Sequence, residues 1–427
     1  MTDRQSLNIE QKVLQKRHRA ERRFRLYGVT AITLALAMLA SIFVSLVVTG
    51  HSAFRQAEIE LLITFDADVI YADGGRTEQA LYGADYQKLA RMALRKLFPD
   101  VSKRADKKRL NKLLSPGAGF VLRDLVLNDP GLVGQSRRLS LPVSDNVDLY
   151  VKGQIDTTLP EGQRQLNDRQ IGWIDSLVSK DLIKLRFNTR FFTNGDSREP
   201  EMAGIMGAVK GTFYTLMVCF LLAFPVGVLS SIYLEEFAPR NRLTDFIEIN
   251  INNLAAVPSI VFGLLGLAVF LNFMGLPRSA PLVGGMVLAL MTLPTIIIAA
   301  RSALKSVPPS IAQAALGLGA TRMQAVFHHV LPLAMPGIMT GAIIGLAQAL
   351  GESAPLLMIG MVAFVVDIPG SVVDPATTLP VQIFIWADSP ERAFLAKTAA
   401  GILVLLAFLI VMNLSAVILR KKFERRW

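Results

Sequence analysis

Three consecutive stretches decide how this chain is built: PLVGGMVLALMTLPTIIIAA at 281–300, RSALKSVPPSIAQAALGLGATRMQAVFHHV at 301–330, and LAMPGIMTGAIIGLAQA at 333–349. The first and third are apolar and close to the roughly 20 residues a helix needs to cross about 30 Å of hydrocarbon. The loop between them is far longer than the about 2–8 residues that usually join helices in a bundle. Pro308 and Pro309 suit the first turn of a helix, with Ser310 beside them. Residues 311–318 are rich in Ala and Leu, and Gly319 suits the exit. A short helix with small side chains, projecting from the membrane, allows a partner to approach closely. A mere connection has no use for it.

Outward from this loop the same pattern recurs. Hydrophobic residues make up 52% of the 427, too many for an ordinary soluble chain. They gather into six bilayer-length runs at 28–49, 211–234, 254–274, 281–300, 333–349 and 398–419. The expected architecture is an all-α polytopic membrane protein of six transmembrane helices. Between the first two spans, residues 51–205 are polar, carry turns such as Asp73-Gly74-Gly75 and Asn194-Gly195-Asp196, and contain no spanning run. That segment is large enough to be a domain. Helical spacing at 90–97 and 163–178, with β-branched and aromatic runs at 61–71 and 182–192, predicts a mixed α/β fold for it.

Charge placement sets the expected topology. The net charge of +11 gathers largely in a basic tail, 1–27, before the first span and a second tail, 420–427, after the last. Such juxtamembrane charge orients spans and meets anionic lipid. No stacking aromatics accompany it, so nucleic-acid binding is not expected. Both termini and the 301–330 loop are placed in the cytoplasm of a bacterial inner membrane, and the 51–205 domain outside; its basic patch at 103–112 does not oppose this, since long domains translocate largely regardless of charge. The 28–49 run is longer than the about 7–15 residues of a signal's apolar core and reads as a retained anchor. The remaining membrane core is then 206–419. Within it the apolar stretch 333–366 is too long for one straight span and is interrupted by Gly351, Glu352 and Pro355, which predicts a span followed by a broken or re-entrant piece.

The chemistry of catalysis is missing. No glycine loop of the Gly-x4-Gly-Lys-Ser/Thr form occurs, and the nearest fragment, around Lys210, has the wrong spacing. His328 and His329 are adjacent, unlike a helical i, i+4 ligand pair. The single Cys219 lies in an apolar run, so no internal disulfide forms. Neither enzymatic activity nor a cofactor or metal of its own is expected.

Gln313-Ala314-Ala315-x3-Gly319-x9-His329-x-Leu331-Pro332 resembles the "EAA" loop of ABC importer permeases. Gln313 replaces the usual acidic residue and His329 the usual isoleucine; the spacing is kept. Two further stretches, 256–267 with Pro258-Ser259-Ile-Val-Phe-Gly263, and Gly351-Glu352-Ser353-Ala354-Pro355-Leu356-Leu357, are similar to the A-type permeases of phosphate-specific importers. The likeness runs from about residue 204 to the carboxyl end. It implies a type I importer core whose loop docks a separate ATPase through Gln313, Ala314, Ala315, Gly319, Leu331 and Pro332. It also implies the partners: a second, C-type permease, two ATP-binding subunits that hydrolyse ATP with Mg, and a periplasmic phosphate-binding protein. The implied cargo is phosphate.

A carboxylate in a span is costly, about 2.5–3.5 kcal/mol at the bilayer centre, so Glu352 between Gly351 and Pro355 points to a broken helix facing a polar path. For an anion carrier it serves as a gate, paired with a cation, rather than as the binding group. Backbone N–H groups and hydroxyls at helix breaks suit the anion better, which singles out Pro258, Ser259 and Ser353. Relatives often carry arginine where this chain has Gln348 and Ile298, so the path's cations are expected largely from a sister subunit. Another oxyanion or a phosphonate is the alternative cargo. A membrane-anchored sensor reading through 51–205 is the alternative class, and it requires a cytoplasmic output domain.

Overall fold

The computed structural model describes residues 2–71 and 78–423, with side chains for 16–71 and 79–422. The chain divides into two compact units, Met1–Thr49 and Gly50–Trp427. The first is helix α1 (Thr2–Gly50), which runs without a break from the basic tail into the apolar run. Ile32, Leu36, Leu39 and Phe43 stand uncovered along it, as suits a helix whose solvent is lipid.

The second unit opens with a three-stranded antiparallel sheet of order β2-β1-β3, from β1 (Arg55–Thr64), β2 (Ser136–Pro142) and β3 (Ile183–Phe187). Leu61 pairs with Leu139, and Ile59 with Ile183. Ala57, Ile59, Leu61 and Ile63 alternate onto one buried face, the period-2 signature of a strand covered on one side. Helices α2 (Tyr86–Lys96), α3 (Ala118–Asn128) and α4 (Asp168–Ser179) supply the cover through Leu89, Leu94, Leu122, Val126, Ile174 and Leu177. The mixed fold and both expected helices are therefore present. Strand β1 begins at Arg55, ahead of the expected 61–71 run, and both β1 and β3 stop short of the ends expected. Asp66 accepts from the Asp68 N–H and Asn188 from the Phe191 N–H, so each run turns into a short capped helix, Ala67–Ile70 and Thr189–Thr193. The Asp73-Gly74-Gly75 turn lies outside the described residues.

Among the described residues, five helices are long and apolar enough to cross a membrane, or six if one bent pair counts as a span. Besides α1 they are α5 (Met206–Ile232, extended by a wider turn to Phe237), α8 (Pro281–Lys305), α10 (Leu331–Gly351, preceded by a turn from Arg322) and α13 (Ala393–Phe423). The bent pair is α6 (Arg242–Ala255) and α7 (Ser259–Gly266, continued to Phe273), which meet at 101°. The straight span expected at 254–274 is thus corrected. Pro258 lacks an N–H and pushes Val257 out of the helical region, so the chain turns there and a new helix starts at Ser259. α5 and α8 pack through small residues. A Cβ on Gly285 of α8 would sit 2.5 Å from the Val218 Cβ of α5, a close approach typical of helices in lipid.

After α10 the backbone breaks at Glu352, forms α11 (Ala354–Met358) and runs irregularly to α12 (Leu379–Ala387). This segment folds over the start of α8, where the Leu282 N–H donates to Val372 O and the Ala376 N–H to Ser279 O, both at 2.9 Å. The sheet domain sits at the same end. Trp386 Nε1 of α12 donates to Asp196 at 2.9 Å, and the buried Lys397 of α13 donates to Ala203 O below the Phe191 ring. The 301–330 loop lies at the other end of α8, about 37 Å away at 1.5 Å per residue.

Candidate functional site

The loop forms helix α9 (Pro309–Gly317), with Pro308 at its N-cap and Pro309 in its first turn. Gly319 has φ +90°, the left-handed exit that only glycine takes without strain. Ala315 is buried, and Ala312 packs against a core that joins Val228, Ala300, Leu304 and Val330. Gln313, Ala314, Leu316 and Leu318 turn outward, and Leu318 is 91% exposed. A capping box between Thr321 and Gln324 then starts the turn into α10. Leu331 and Pro332 form the first turn of α10 and are half-buried. The elbow therefore presents small and apolar side chains on a rigid, proline-started helix.

Behind it lies an ionic cluster that sequence reasoning missed. Arg301, near the end of α8, donates through Nη2 to Glu248 of α6 at 2.7 Å and through Nε to Glu235 after α5 at 3.4 Å. Lys305 reaches Glu235 at 3.5 Å. Arg322 stacks over Phe237 at 5.5 Å. Three membrane helices are tied together one step from the elbow. The signal was present as Glu235, Glu248 and Arg301 in polar flanks, but nothing in linear order pairs them.

At the far end the two broken-helix motifs meet. Glu352 ends α10 with an extended backbone, and Ser353 caps α11 without a side-chain hydrogen bond. Pro258 caps α7 and Ser259 opens it, also without a side-chain cap. Gly263 of α7 lies directly against Pro355 of α11, and Gly266 lies against Val287 and Ile359. The structure thus brings Gly263 of one motif to Pro355 of the other. Gln348 stands exposed one turn before Glu352 on the same helix. Glu352 itself is half-buried and makes no ion pair among the described residues. It directly follows the 21-residue α10, at the helix break the sequence leads one to expect there. Beside the break, a small cavity of about 10 Å³, room for one water at most, is lined by Thr215, Thr378, Ala349 and Leu356; the Thr215 and Thr378 hydroxyls are buried without hydrogen-bond partners. Neither threonine was singled out by sequence reasoning, since hydroxyls are common in spans.

Residues 223–427 match the family described as "binding-protein-dependent transport system inner membrane component", and residues 11–161 match a "domain of unknown function" family, DUF3333. The chain is similar to the probable ABC transporter permease protein YqgI of Bacillus subtilis (strain 168), at 30% identity over 263 residues, covering 58% of this chain and 87% of that one. It is also 30% identical over 225 residues to the phosphate transport system permease protein PstA 1 of Mycobacterium tuberculosis (strain CDC 1551 / Oshkosh), covering 52% and 72% respectively. Among solved structures, an inward-facing MetNI methionine ABC transporter chain aligns with 52% of this chain and 95% of its own length, at 20% identity and a TM-score of 0.39.

Proposed function

The chain belongs to the family of binding-protein-dependent transport system inner membrane components, and from that membership we propose that it forms half of the path of an ATP-driven inorganic phosphate importer. The observation that carries the coupling role is the elbow. An exposed apolar helix, started by two prolines and closed by a left-handed glycine, stands about a bilayer thickness from the broken helices. Its partner is a separate ATPase, which supplies ATP and Mg chemistry that this chain does not need to hold. Two ATPase copies, a C-type sister permease and a periplasmic phosphate-binding protein complete the assembly. Both termini face the cytoplasm, as the basic tails require.

Phosphate as cargo is supported by the relatives' names and by the Pro258-Ser259 and Glu352–Leu357 stretches. Glu352, as a carboxylate, repels an anion and serves as the gate, closing on a cation of the sister subunit. Backbone N–H groups and hydroxyls at the breaks, Ser259 and Ser353 among them, line the passage. The exposed Gln348, in place of a cation, keeps a second oxyanion or a phosphonate as the alternative cargo.

Labelled-phosphate uptake in phosphate-starved cells lacking this chain tests the reading. Wild type restores uptake, excess unlabelled phosphonate does not compete, and Glu352→Gln assembles but loses gated uptake. No restoration by wild type rejects phosphate transport. Full uptake by an assembled Glu352→Gln complex removes Glu352 from the gate.

A further inference from the structure

We propose that the Arg301–Glu248 ion pair is the positioning contact that carries the elbow's movement to the second wall of the Glu352 break. The inference rests on the permease reading and deepens it.

The elbow has a direct line to one wall. α10 rises from it without interruption and ends at Glu352. The other wall is α7, whose Gly263 presses on Pro355 just past the break. α7 has no covalent line to the elbow except back through the long α8, and it hangs from α6 by the 101° bend at 256–258. What holds α6 to the elbow side is Glu248, which makes the only ion pair of α6 among the described residues. That pair is short, at 2.7 Å, and its Arg301 side chain is largely shielded, so it is stiffer and less screened than a surface pair. Arg301 sits in the last turns of α8, immediately before α9. A displacement of α9 therefore moves Glu352 through α10, and moves Pro355's support through Arg301, Glu248 and the bent α6–α7 arm. The width of the path depends on how far the second wall follows the first, and the ion pair sets that.

The pair predicts uncoupling rather than collapse. The other anchor, Glu235 with Arg301 and Lys305, stays in place when Glu248 is changed. The test uses the full complex in proteoliposomes, with labelled inorganic phosphate as the transported probe and ATP hydrolysis measured alongside. Glu248→Gln is expected to lower phosphate uptake about tenfold, the size of effect one charged hydrogen bond supports, while hydrolysis stays within about twofold. The conservative Glu248→Asp, which keeps the charge and leaves Arg301 on Glu235, is expected to retain more uptake than Glu248→Gln. Unchanged uptake in Glu248→Gln, parallel loss of uptake and hydrolysis, failed assembly, or no more uptake in Glu248→Asp than in Glu248→Gln each overturns the assignment. If the wild-type complex itself shows no ATP-dependent phosphate uptake, the permease reading fails first and the inference falls with it.

Discussion

Gly263 and Pro355 pack backbone to backbone. A Cβ placed on Gly263 would lie 2.7 Å from the Pro355 Cα and 2.9 Å from its carbonyl oxygen. Neither atom belongs to a flexible side chain, so the two helices must part to admit even a methyl group. Their contact holds α7 against the start of α11, just past the end of α10.

Gly263→Ala should therefore destabilise the core by about 1–3 kcal/mol, the usual cost of overpacking. Gly263→Val should cost more and abolish uptake. Gly351→Ala is the control, because nothing lies within 4 Å of a Cβ there although it borders the same break. Thermal unfolding of the detergent-solubilised complex separates the two. Equal melting temperatures for Gly263→Ala and Gly351→Ala would show that the Gly263–Pro355 contact is not tight in the membrane.

The elbow's side of the membrane can be read chemically. Ser310 is exposed at the start of α9, and the chain's single native thiol, Cys219, is buried. Ser310→Cys should react with an impermeant thiol reagent only after spheroplasts are permeabilised. Leu318→Asp, at a side chain with nothing to unpack, should leave stability within about 0.5 kcal/mol but lose co-purification of the ATPase. Labelling in intact spheroplasts, or undiminished co-purification with Leu318→Asp, would remove the elbow from the coupling role.

The sequence made some of this legible and hid the rest for physical reasons. The elbow was readable because proline, alanine and glycine act locally: Pro309 opens α9 and Gly319 closes it where expected. The break after α10 was readable for the same reason. The bend at Pro258 was named as a helix break, yet residues 254–274 still counted as one span, because hydropathy sums over a window and is blind to direction. The strand ends were overrun because Asp66 and Asn188 cap helices that apolar content conceals. The Arg301–Glu248 contact was invisible, since a pair separated by a whole bent arm has no periodicity to betray it. So was the burial of Lys397 under Phe191.

That last contact lies in a buried polar knot joining the sheet domain to α13, and its acid is Glu201. Gln56 Nε2 donates to the Glu201 carbonyl at 2.8 Å, and the residue is only 4% exposed. Burial pushes its carboxyl from the ordinary 4.5 up to about 7, with Asp145 and Glu199 adding repulsion. Burial first, and then repulsion from Glu391, also raise Asp145 and Glu199, and Lys397 faces the group from α13. A carboxyl whose folded value exceeds its unfolded one binds its proton more tightly when packed. The packed state is thus fully favoured below about 4.5 and loses stability as pH rises to about 7, by up to about 3 kcal/mol, with no further loss from this group above that. The domain should melt, or yield to protease, more readily at pH 7.5 than at pH 5. Glu201→Gln, neutral at every pH, should remove most of that slope and leave the weaker share of Asp145 and Glu199. A slope unchanged in Glu201→Gln would mean that the knot stays ionised, with Lys397 compensating Glu201 throughout.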